Sequence, residues 1–349
     1  MLNPTIVINE QIIIPQVMKI LSISVAAFML AMLITPIFTH YAYKYQWWRK
    51  QRELDVTGNK AVVFQKLHKE KHKRNIPTMA GLIVVITVIT LTLLFNLNRS
   101  ETWLPIAALF LFGGLGLIDD FSNIFNKSDK TGGLRAKTQI LALIALSFVC
   151  ALWFYYKLGW NIVHIPAWGD LYIGWLYIPV FVFIVVASAK SVSITDGLDG
   201  LAGGTLSFAF GAYAIISYFA GLTSMAIFCA TLVGALLAYT WFNIYPARFF
   251  MGQVGSTALG ATLGVVVMLT NTVLILPIIG FIFVVETLSV IVQLLSKKIR
   301  KKKVFLSAPI HHHFEAKGWP ETKVTMRFWV IGWIMSIIGI VVALFGRGS

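Results

Sequence analysis

The chain has 349 residues, of which 58% are hydrophobic and 12% charged, and its mean hydropathy is +0.79. A soluble domain cannot bury that much apolar surface, so the composition excludes a soluble globular protein and indicates a polytopic membrane protein. The formal net charge of +15 indicates an anionic partner, and the positions of the basic residues decide its kind.

Ten apolar segments come close to the roughly 20 residues that a helix needs to cross a bilayer. In chain order they are Val17–Thr39, Thr78–Phe95, Leu104–Ile118, Thr138–Tyr156, Leu176–Ala189, Ala202–Phe219, Ser224–Phe242, Thr257–Val273, Leu274–Leu295 and Phe328–Phe345. A tight turn near Asn271 divides the eighth segment from the ninth. The sequence therefore predicts an all-α polytopic membrane protein with ten transmembrane helices in a single domain, residues 1–349.

The basic residues predict the orientation of these helices. Apart from Lys19, Arg99, Lys157 and Arg347, every lysine and arginine falls in alternate loops. These loops begin at Tyr41, Asp119, Lys190, Tyr245 and Ser296. The positive-inside rule places them in the cytoplasm and both termini outside it. The same distribution favours contact with anionic bilayer lipids over a nucleic-acid surface, so we expect no nucleic-acid partner.

One longer loop falls on the predicted extracytoplasmic side. Residues Gly159–Gly174 are rich in aromatic and β-branched side chains around Trp168-Gly169-Asp170. This composition predicts a small β-hairpin on the surface.

Two adjacent carboxylates, Asp119 and Asp120, directly follow the third apolar segment. Neighbouring carboxylates repel each other unless a cation neutralises them. The pair fits either a solvated helix end or a site where one carboxylate binds Mg²⁺ and the other acts as a base or orients a phosphate.

The stretch Ser193–Leu201 places Asp196, Gly197, Asp199 and Gly200 directly after the fifth segment. Glycine lets backbone amides approach a ligand closely, and carboxylates at the membrane edge are suited to hold a cation. A capped helix start in a short polar turn is the alternative. Because the other polar clusters also follow apolar segments on the predicted cytoplasmic side, the sequence predicts an active site in a cytoplasmic-facing cleft.

The loop Asn243–Ser256 combines glycines with aromatic residues. Glycine-bracketed amides suit phosphate, and the ring of Phe249 or Phe250 is suited to stack on a planar base. An ordinary connection between two helices is the alternative.

Three consecutive histidines, His311, His312 and His313, lie in the last basic loop. Adjacent side chains point in different directions on a helix, which suits a structural zinc site poorly and a polyanionic ligand better. Glu286 lies inside the ninth segment, and an ionisable group at that depth indicates either a functional role or a bond between helices.

Taken in order, these motifs resemble the phospho-N-acetylmuramoyl-pentapeptide transferase family, which belongs to the polyprenyl-phosphate N-acetylhexosamine-1-phosphate transferases. The match rests on Pro77-Thr78-Met79, Asp119-Asp120, Thr195–Ala202, Asn243–Gly252, Glu286–Val290 and Pro309–Trp319. The His-His-His-Phe-Glu run resembles the muramoyl branch more than its relatives. The motifs span nearly the whole chain.

The resemblance implies an enzyme of the bacterial inner membrane that uses Mg²⁺. It implies that UDP-N-acetylmuramoyl-pentapeptide gives its phospho-sugar to undecaprenyl phosphate, yielding lipid I and UMP in peptidoglycan biosynthesis, and it leaves homodimer formation open. Asp119, Asp120 and His311 match catalytic positions, and Asp196 and Gln253 match metal positions. The positions that match the nucleotide-sugar pocket are Lys71, Asp196, Gly197, Leu198, Asp199, Asn243, Phe250, His312 and His313.

Several polar positions depart from the family pattern. Gln253 stands where the family has Asp, Gln139 where it has Lys, and Ser193 where it has Asn. Ile76 replaces a Thr and Ala80 a Gly. Gln253 brings no charge to offset Mg²⁺, so either a metal ligand has been lost or the site has re-evolved around the amide.

These departures keep two alternatives to the muramoyl transferase open. One is a homologue with weakened activity that binds nucleotide-sugar or lipid, or that acts as a scaffold. The other is a transferase that uses UDP-N-acetylglucosamine, against which the histidine run argues. A transporter is disfavoured because, apart from Glu286, the middle of each segment is apolar.

Overall fold

The computed structural model describes residues 10–48, 75–125 and 134–346, and it is helical apart from one small hairpin. The helices are α1 Glu10–Lys44, α2 Gly81–Phe95, α3 Trp103–Phe125, α4 Ala136–Lys157, α5 Tyr177–Thr195, α6 Leu201–Phe219, α7 Thr223–Asn243, α8 Gly252–Leu269, α9 Leu276–Ile279, α10 Phe281–Arg300, α11 Ile310–Ala316 and α12 Glu321–Phe345. A 3₁₀ turn, Gly174–Leu176, leads into α5.

Eight of the helices in the described part of the chain are long and apolar enough to cross a membrane. They are α1, α3, α4, α5, α6, α7, α8 and α12. The protein is therefore a multi-pass membrane protein, as the composition predicts. The helix α2 is apolar but has only 15 residues.

The prediction of one continuous helix over the ninth segment, Leu274–Leu295, is wrong. The structure divides it into the short helix α9 and the longer α10. Pro277 lies in the first turn of α9, where its missing N–H costs nothing, and Gly280 separates the two helices. The helix α10 then runs to Arg300, and its last turn carries Lys297, Lys298 and Arg300.

The helix α8 lies at the centre of the bundle, since 94% of its apolar stretch is buried inside the protein, compared with 11% for α1. Small residues allow its neighbours to approach closely. A methyl group on Gly116 of α3 would overlap the backbone carbonyl of Gln253. A Cβ on Gly260 of α8 would lie 2.7 Å from the Cα of Ala189 in α5. The first half of α8 is thereby packed closely between α3 and α5.

The predicted hairpin within Gly159–Gly174 is confirmed. Strands β1 (Ile162–Ile165) and β2 (Gly169–Tyr172) pair antiparallel, with Ile162 opposite Tyr172. The His164 N–H donates to Asn271 Oδ1 at 3.0 Å, which ties the hairpin to the turn after α8. Asn271 has a φ of 51°, as a tight turn requires, so the predicted break near this residue is also confirmed.

Candidate active site

The acid pair lies near the carboxyl end of α3, with Asp119 and Asp120 both buried. Asp119 Oδ1 accepts a hydrogen bond from the Leu134 N–H at 2.7 Å. Asp120 Oδ2 accepts one from the Val254 N–H at 2.9 Å. Val254 lies in the first turn of α8, where the helix dipole favours a negative charge. Both carboxylates are therefore held by main-chain donors.

Gly252 allows this close approach of α8 to Asp120. Its φ of +76° lies in the left-handed region, which disfavours residues with a Cβ. A Cβ at this position would also lie 2.6 Å from Asp120 Oδ2. Glycine at residue 252 is thus required by both the backbone and the neighbouring carboxylate.

The aspartate loop, residues 196–200, connects α5 to α6 and contacts the ends of two further helices. Asp199 Oδ2 accepts the Ala247 N–H at 3.1 Å, and the Asp199 N–H donates to Glu321 Oε1 at 2.6 Å. The Gly200 N–H donates to Asn243 Oδ1 at 3.0 Å. Since Asn243 ends α7 and Glu321 begins α12, the loop is held from both sides.

Leu198, the central residue of this loop, does not present its side chain to an open cleft. It is buried in a small apolar cluster with Leu201, Ile282, Val324 and Phe328. Any contribution of Leu198 to a ligand site therefore comes from its backbone.

The loop after α7 separates the two candidate stacking rings. Phe249 is fully buried and packs against Phe38, Tyr239 and Phe242, so its ring belongs to the core. Phe250 is only half-buried. Its N–H donates to the carbonyl of Pro77, which joins this loop to the Pro77-Thr78-Met79 motif. Of the two rings, Phe250 is the one that remains accessible to a planar base.

His311 and Glu286 face each other in the interior. His311 Nδ1 lies 2.9 Å from Glu286 Oε2, and both side chains are completely buried. The ring nitrogen and the carboxylate are at ion-pair distance, although they are not aligned for a hydrogen bond. The His311 ring also lies directly against Gly197, where a methyl group would overlap Nε2. This pair therefore connects α10, α11 and the aspartate loop.

The other two histidines have separate partners, as expected for consecutive residues on a helix. His312 Nδ1 lies 2.6 Å from Glu315 Oε2, one turn along α11. His313 Nδ1 accepts a hydrogen bond from the Leu306 N–H at 3.1 Å. Partial burial, and secondarily the charge of Lys317, lower the pKa of His313. The neutral form of His313 is therefore favoured at neutral pH.

Gln253 already has several hydrogen-bond donors around its side-chain oxygen. Oε1 accepts bonds from Ser193 Oγ at 3.0 Å, Thr257 Oγ1 at 3.1 Å and Gln139 Nε2 at 3.4 Å. This oxygen has to give up some of these bonds before it can bind a metal ion. Within residues 10–48, 75–125 and 134–346, there is no group of three or more His, Cys, Asp or Glu side chains arranged to hold a metal.

Most of the predicted site residues belong to one connected region. Asp120 contacts the first turn of α8, Gln253 contacts Ser193 at the end of α5, and the aspartate loop follows directly. From α11, the His311 ring packs against Gly197 of the aspartate loop. His313, also on α11, faces away from this region and contacts Leu306 in the segment between α10 and α11. Lys71 lies outside the described residues.

Besides a hydrogen bond from Thr325 Oγ1 to the Asp199 carbonyl at 3.2 Å, three contacts of the aspartate loop come from residues outside the predicted set of site residues. They are the backbone of Ala247, the carboxylate of Glu321 and the indole of Trp329, whose Nε1 donates to the Gly200 carbonyl at 3.1 Å. Pro320-Glu321 has the sequence signature of a helix start, but its pairing with a loop 122 residues earlier in the chain is not a local property.

Comparison with known proteins first defines the class. The family model for Glycosyl transferase family 4 matches residues 102–271, which run from α3 to the turn after α8. This range contains the acid pair, the aspartate loop and Gln253. Over this range the chain is thus similar to the membrane-spanning core of a glycosyl transferase family.

Individual relatives define the family more narrowly. A phospho-N-acetylmuramoyl-pentapeptide-transferase of Chloroflexus aggregans is 37% identical over 347 residues, covering 95% of this chain and 92% of the relative. Proteins of the same name are 34% identical in a Geobacillus species, covering 90% of this chain and 95% of the relative, and 37% identical in Desulfotalea psychrophila, covering 91% and 90%. The chain belongs to the phospho-N-acetylmuramoyl-pentapeptide-transferase family.

Proposed function

We propose that this protein transfers the phospho-N-acetylmuramoyl-pentapeptide group from its UDP derivative to undecaprenyl phosphate, giving lipid I and UMP. The observation that carries the proposal is the convergence of the acid pair, the aspartate loop and the histidine helix α11 in one connected region. Family membership over nearly the whole chain supports the same reaction.

The reaction brings two anionic phosphates together. An oxygen of the lipid phosphate attacks the sugar-bearing phosphorus of the UDP-sugar, a new P–O bond forms, and the bond to UMP breaks. Catalysis of phosphoryl transfer is mainly positioning and charge neutralisation. Asp119 and Asp120 act on the lipid phosphate, as a base or by orienting it. Their main-chain hydrogen bonds hold the two carboxylates in fixed directions for this task.

Mg²⁺ is the divalent ion we propose for this site. Mg²⁺ binds through one or two carboxylates together with substrate phosphates rather than in an all-protein cage, and the donor set here fits that description. Asp196 and one carboxylate of the acid pair would hold the ion, and Gln253 would join them by exchanging hydrogen bonds. When bound, the ion neutralises phosphate charge.

The nucleotide-sugar occupies the other half of the region in our proposal. The backbone of Gly197 and Leu198, the carboxylates of Asp196 and Asp199 and the ring of Phe250 bind it. Lys71, Asn243, His312 and His313 complete the set. The resemblance places His311 at a catalytic position, but its ring is fully buried against Gly197, so we propose a positioning role for it instead.

We further propose that the protein is a single domain of the bacterial inner membrane with ten membrane-spanning helices. The two spans beyond the eight apolar ones are α2 and the α9–α10 pair. Both termini lie outside the cytoplasm and the site faces it, so UDP-sugar arrives from the basic side while the lipid arrives through the bilayer.

Donor discrimination tests this proposal. Purified protein is given undecaprenyl phosphate and Mg²⁺ with either UDP-N-acetylmuramoyl-pentapeptide or UDP-N-acetylglucosamine, and the lipid product is identified by mass spectrometry. We expect product from the muramoyl donor alone. Product from the glucosamine donor alone contradicts the substrate assignment, and binding of donor without product indicates the scaffold alternative.

A further inference from the structure

Five polar side chains from α4, α5 and α8 meet beside the site, and we call them the amide cluster: Gln139, Lys190, Ser193, Gln253 and Thr257. Lys190 Nζ donates to Gln139 Oε1 at 2.5 Å, and Gln139 Nε2 in turn donates to Gln253 Oε1 at 3.4 Å. Hydroxyl groups of Ser193 and Thr257 bind the same Gln253 oxygen. The cluster contains one formal charge, that of Lys190.

The amide cluster lies between the acid pair and the aspartate loop. Gln253 precedes Val254, whose N–H binds Asp120. Ser193 lies one turn before Asp196 on α5, and Lys190 lies one further turn back. A positive charge at this place adjoins the region in which the two phosphates have to meet.

Three departures from the family pattern meet in this cluster. The resemblance expects a lysine at residue 139, an asparagine at 193 and an aspartate at 253, and this chain has Gln139, Ser193 and Gln253. The changed side chains touch one another. Gln139 stands in place of the expected lysine and Gln253 in place of the expected aspartate. The two glutamine side chains are hydrogen-bonded to each other. Lys190 is bonded to the glutamine that replaces the lysine.

We propose that Lys190 supplies the positive charge that residue 139 does not, and that it binds a phosphoryl oxygen of one of the two substrates. Gln139 and Gln253 hold the lysine in place as a chain of hydrogen bonds. A lysine ammonium is a compact charge on a flexible stem, so it reaches a phosphate from a neighbouring helix without requiring a rigid geometry. This proposal rests on the proposed function and identifies the cation that serves it.

The alternative is that Lys190 only bridges α5 to α4. A glutamine at residue 190 retains a hydrogen-bond donor for Gln139 but carries no charge, so it separates the two roles. The double variant Gln139→Lys with Lys190→Gln moves the charge back across the same contact. Lys190→Arg retains the charge in place and is the conservative control.

The test measures kcat and KM for UDP-N-acetylmuramoyl-pentapeptide and for undecaprenyl phosphate separately, with the thermal unfolding of each variant as a check on folding. We expect Lys190→Gln to lower kcat/KM by roughly 100-fold, as for loss of one donor to a developing phosphate charge. Lys190→Arg and the double variant should recover most of the loss. If only the KM for the UDP-sugar rises, Lys190 binds the pyrophosphate of the UDP-sugar. If only the KM for the lipid rises, Lys190 binds the lipid phosphate.

Unchanged kinetics in Lys190→Gln overturn the proposal. If that variant fails to fold, the double variant decides, because a folded but inactive exchange also overturns it. If the parent itself releases no UMP, the proposed function fails. Lys190 is then tested by binding of UDP-N-acetylmuramoyl-pentapeptide to the parent and to Lys190→Gln, and equal affinities overturn the proposal.

Discussion

Two sides of the site are held in place by different kinds of partner. On the acid side, Asp119 and Asp120 accept hydrogen bonds from backbone N–H groups. On the histidine side, His311 and His312 each face a glutamate side chain, Glu286 and Glu315. Backbone donors persist when a side chain is replaced, whereas a side-chain pair is broken when either member is removed.

This difference separates chemistry from architecture. A substitution on the acid side removes a charge and leaves its surroundings intact. A substitution in the buried pair on the histidine side leaves an uncompensated group in the interior. The two sides should therefore respond differently to mutation, and the following experiments measure that difference.

The largest effect is expected on the acid side. Asp119→Asn or Asp120→Asn should reduce turnover by roughly 100-fold or more, as for the loss of a general acid–base group. Folding should be retained, because the replacement is isosteric, keeps an oxygen for the backbone donors and relieves repulsion between the carboxylates. Turnover and thermal unfolding are measured on the same preparations. Full activity in both variants removes the pair from the mechanism.

The two histidine–glutamate pairs provide a matched comparison of stability. His311→Ala leaves Glu286 fully buried without its partner, so we expect a loss of about 3–5 kcal/mol. His312→Ala breaks a pair whose Glu315 side chain keeps some contact with solvent, so we expect a smaller loss than for His311→Ala. Denaturant unfolding of both variants in one detergent tests this ranking. Equal losses of unfolding free energy in the two variants would show that full burial does not make the Glu286 pair more costly to break.

Binding should distinguish His312 from the acid side. If His312 contacts the nucleotide-sugar, His312→Ala weakens UDP-sugar binding and leaves undecaprenyl phosphate binding nearly intact. Titrations with each ligand measure this, with Asp120→Asn as the comparison on the lipid side. Parallel loss of both ligands indicates instead that α11 has lost its structure.

Gln253 sharpens the comparison at the point where the acid side meets the amide cluster. Because the Gln253 amide brings no charge to offset Mg²⁺, we expect Gln253→Asp to lower the Mg²⁺ concentration needed for half-maximal activity. A magnesium titration of UMP release by parent and variant tests this. A higher magnesium requirement or slower turnover in the variant would show instead that the site has re-evolved around the amide, whose oxygen three side chains already hold.

The smallest effect concerns His313 and pH. Its pKa is lowered below its usual value of 6.5 by burial, with a further contribution from Lys317. Below pH 6.5 the unfolded chain binds a proton at this histidine more readily than the folded chain does. The stability of the fold therefore decreases as the pH falls from 6.5 through the lower pKa of the folded state. Protonation also removes the lone pair that accepts the Leu306 N–H. His313→Asn retains an acceptor without this titration, so its unfolding temperature should depend less on pH between 7 and 5, the range about which an unperturbed histidine titrates. Identical pH profiles contradict this.

Much of the architecture could be predicted because membrane helices and adjacent motifs are local patterns. Apolar segment length predicts the helices, and the acid pair and aspartate loop are contiguous in sequence. The division at Gly280 was missed because hydropathy does not distinguish one helix from two apolar halves. The contact between Glu286 and His311 could not be predicted, since sequence gives the depth of a charged group but not its partner 25 residues away.

The central claim is that the connected acid and histidine sides form a working transferase. The most direct measurement is UMP release by the purified protein with undecaprenyl phosphate, UDP-N-acetylmuramoyl-pentapeptide and Mg²⁺, alongside Asp120→Asn. We predict UMP and lipid product in equal amounts from the parent, and a large loss in the variant. Absence of UMP release from a folded parent that binds both substrates would contradict the account.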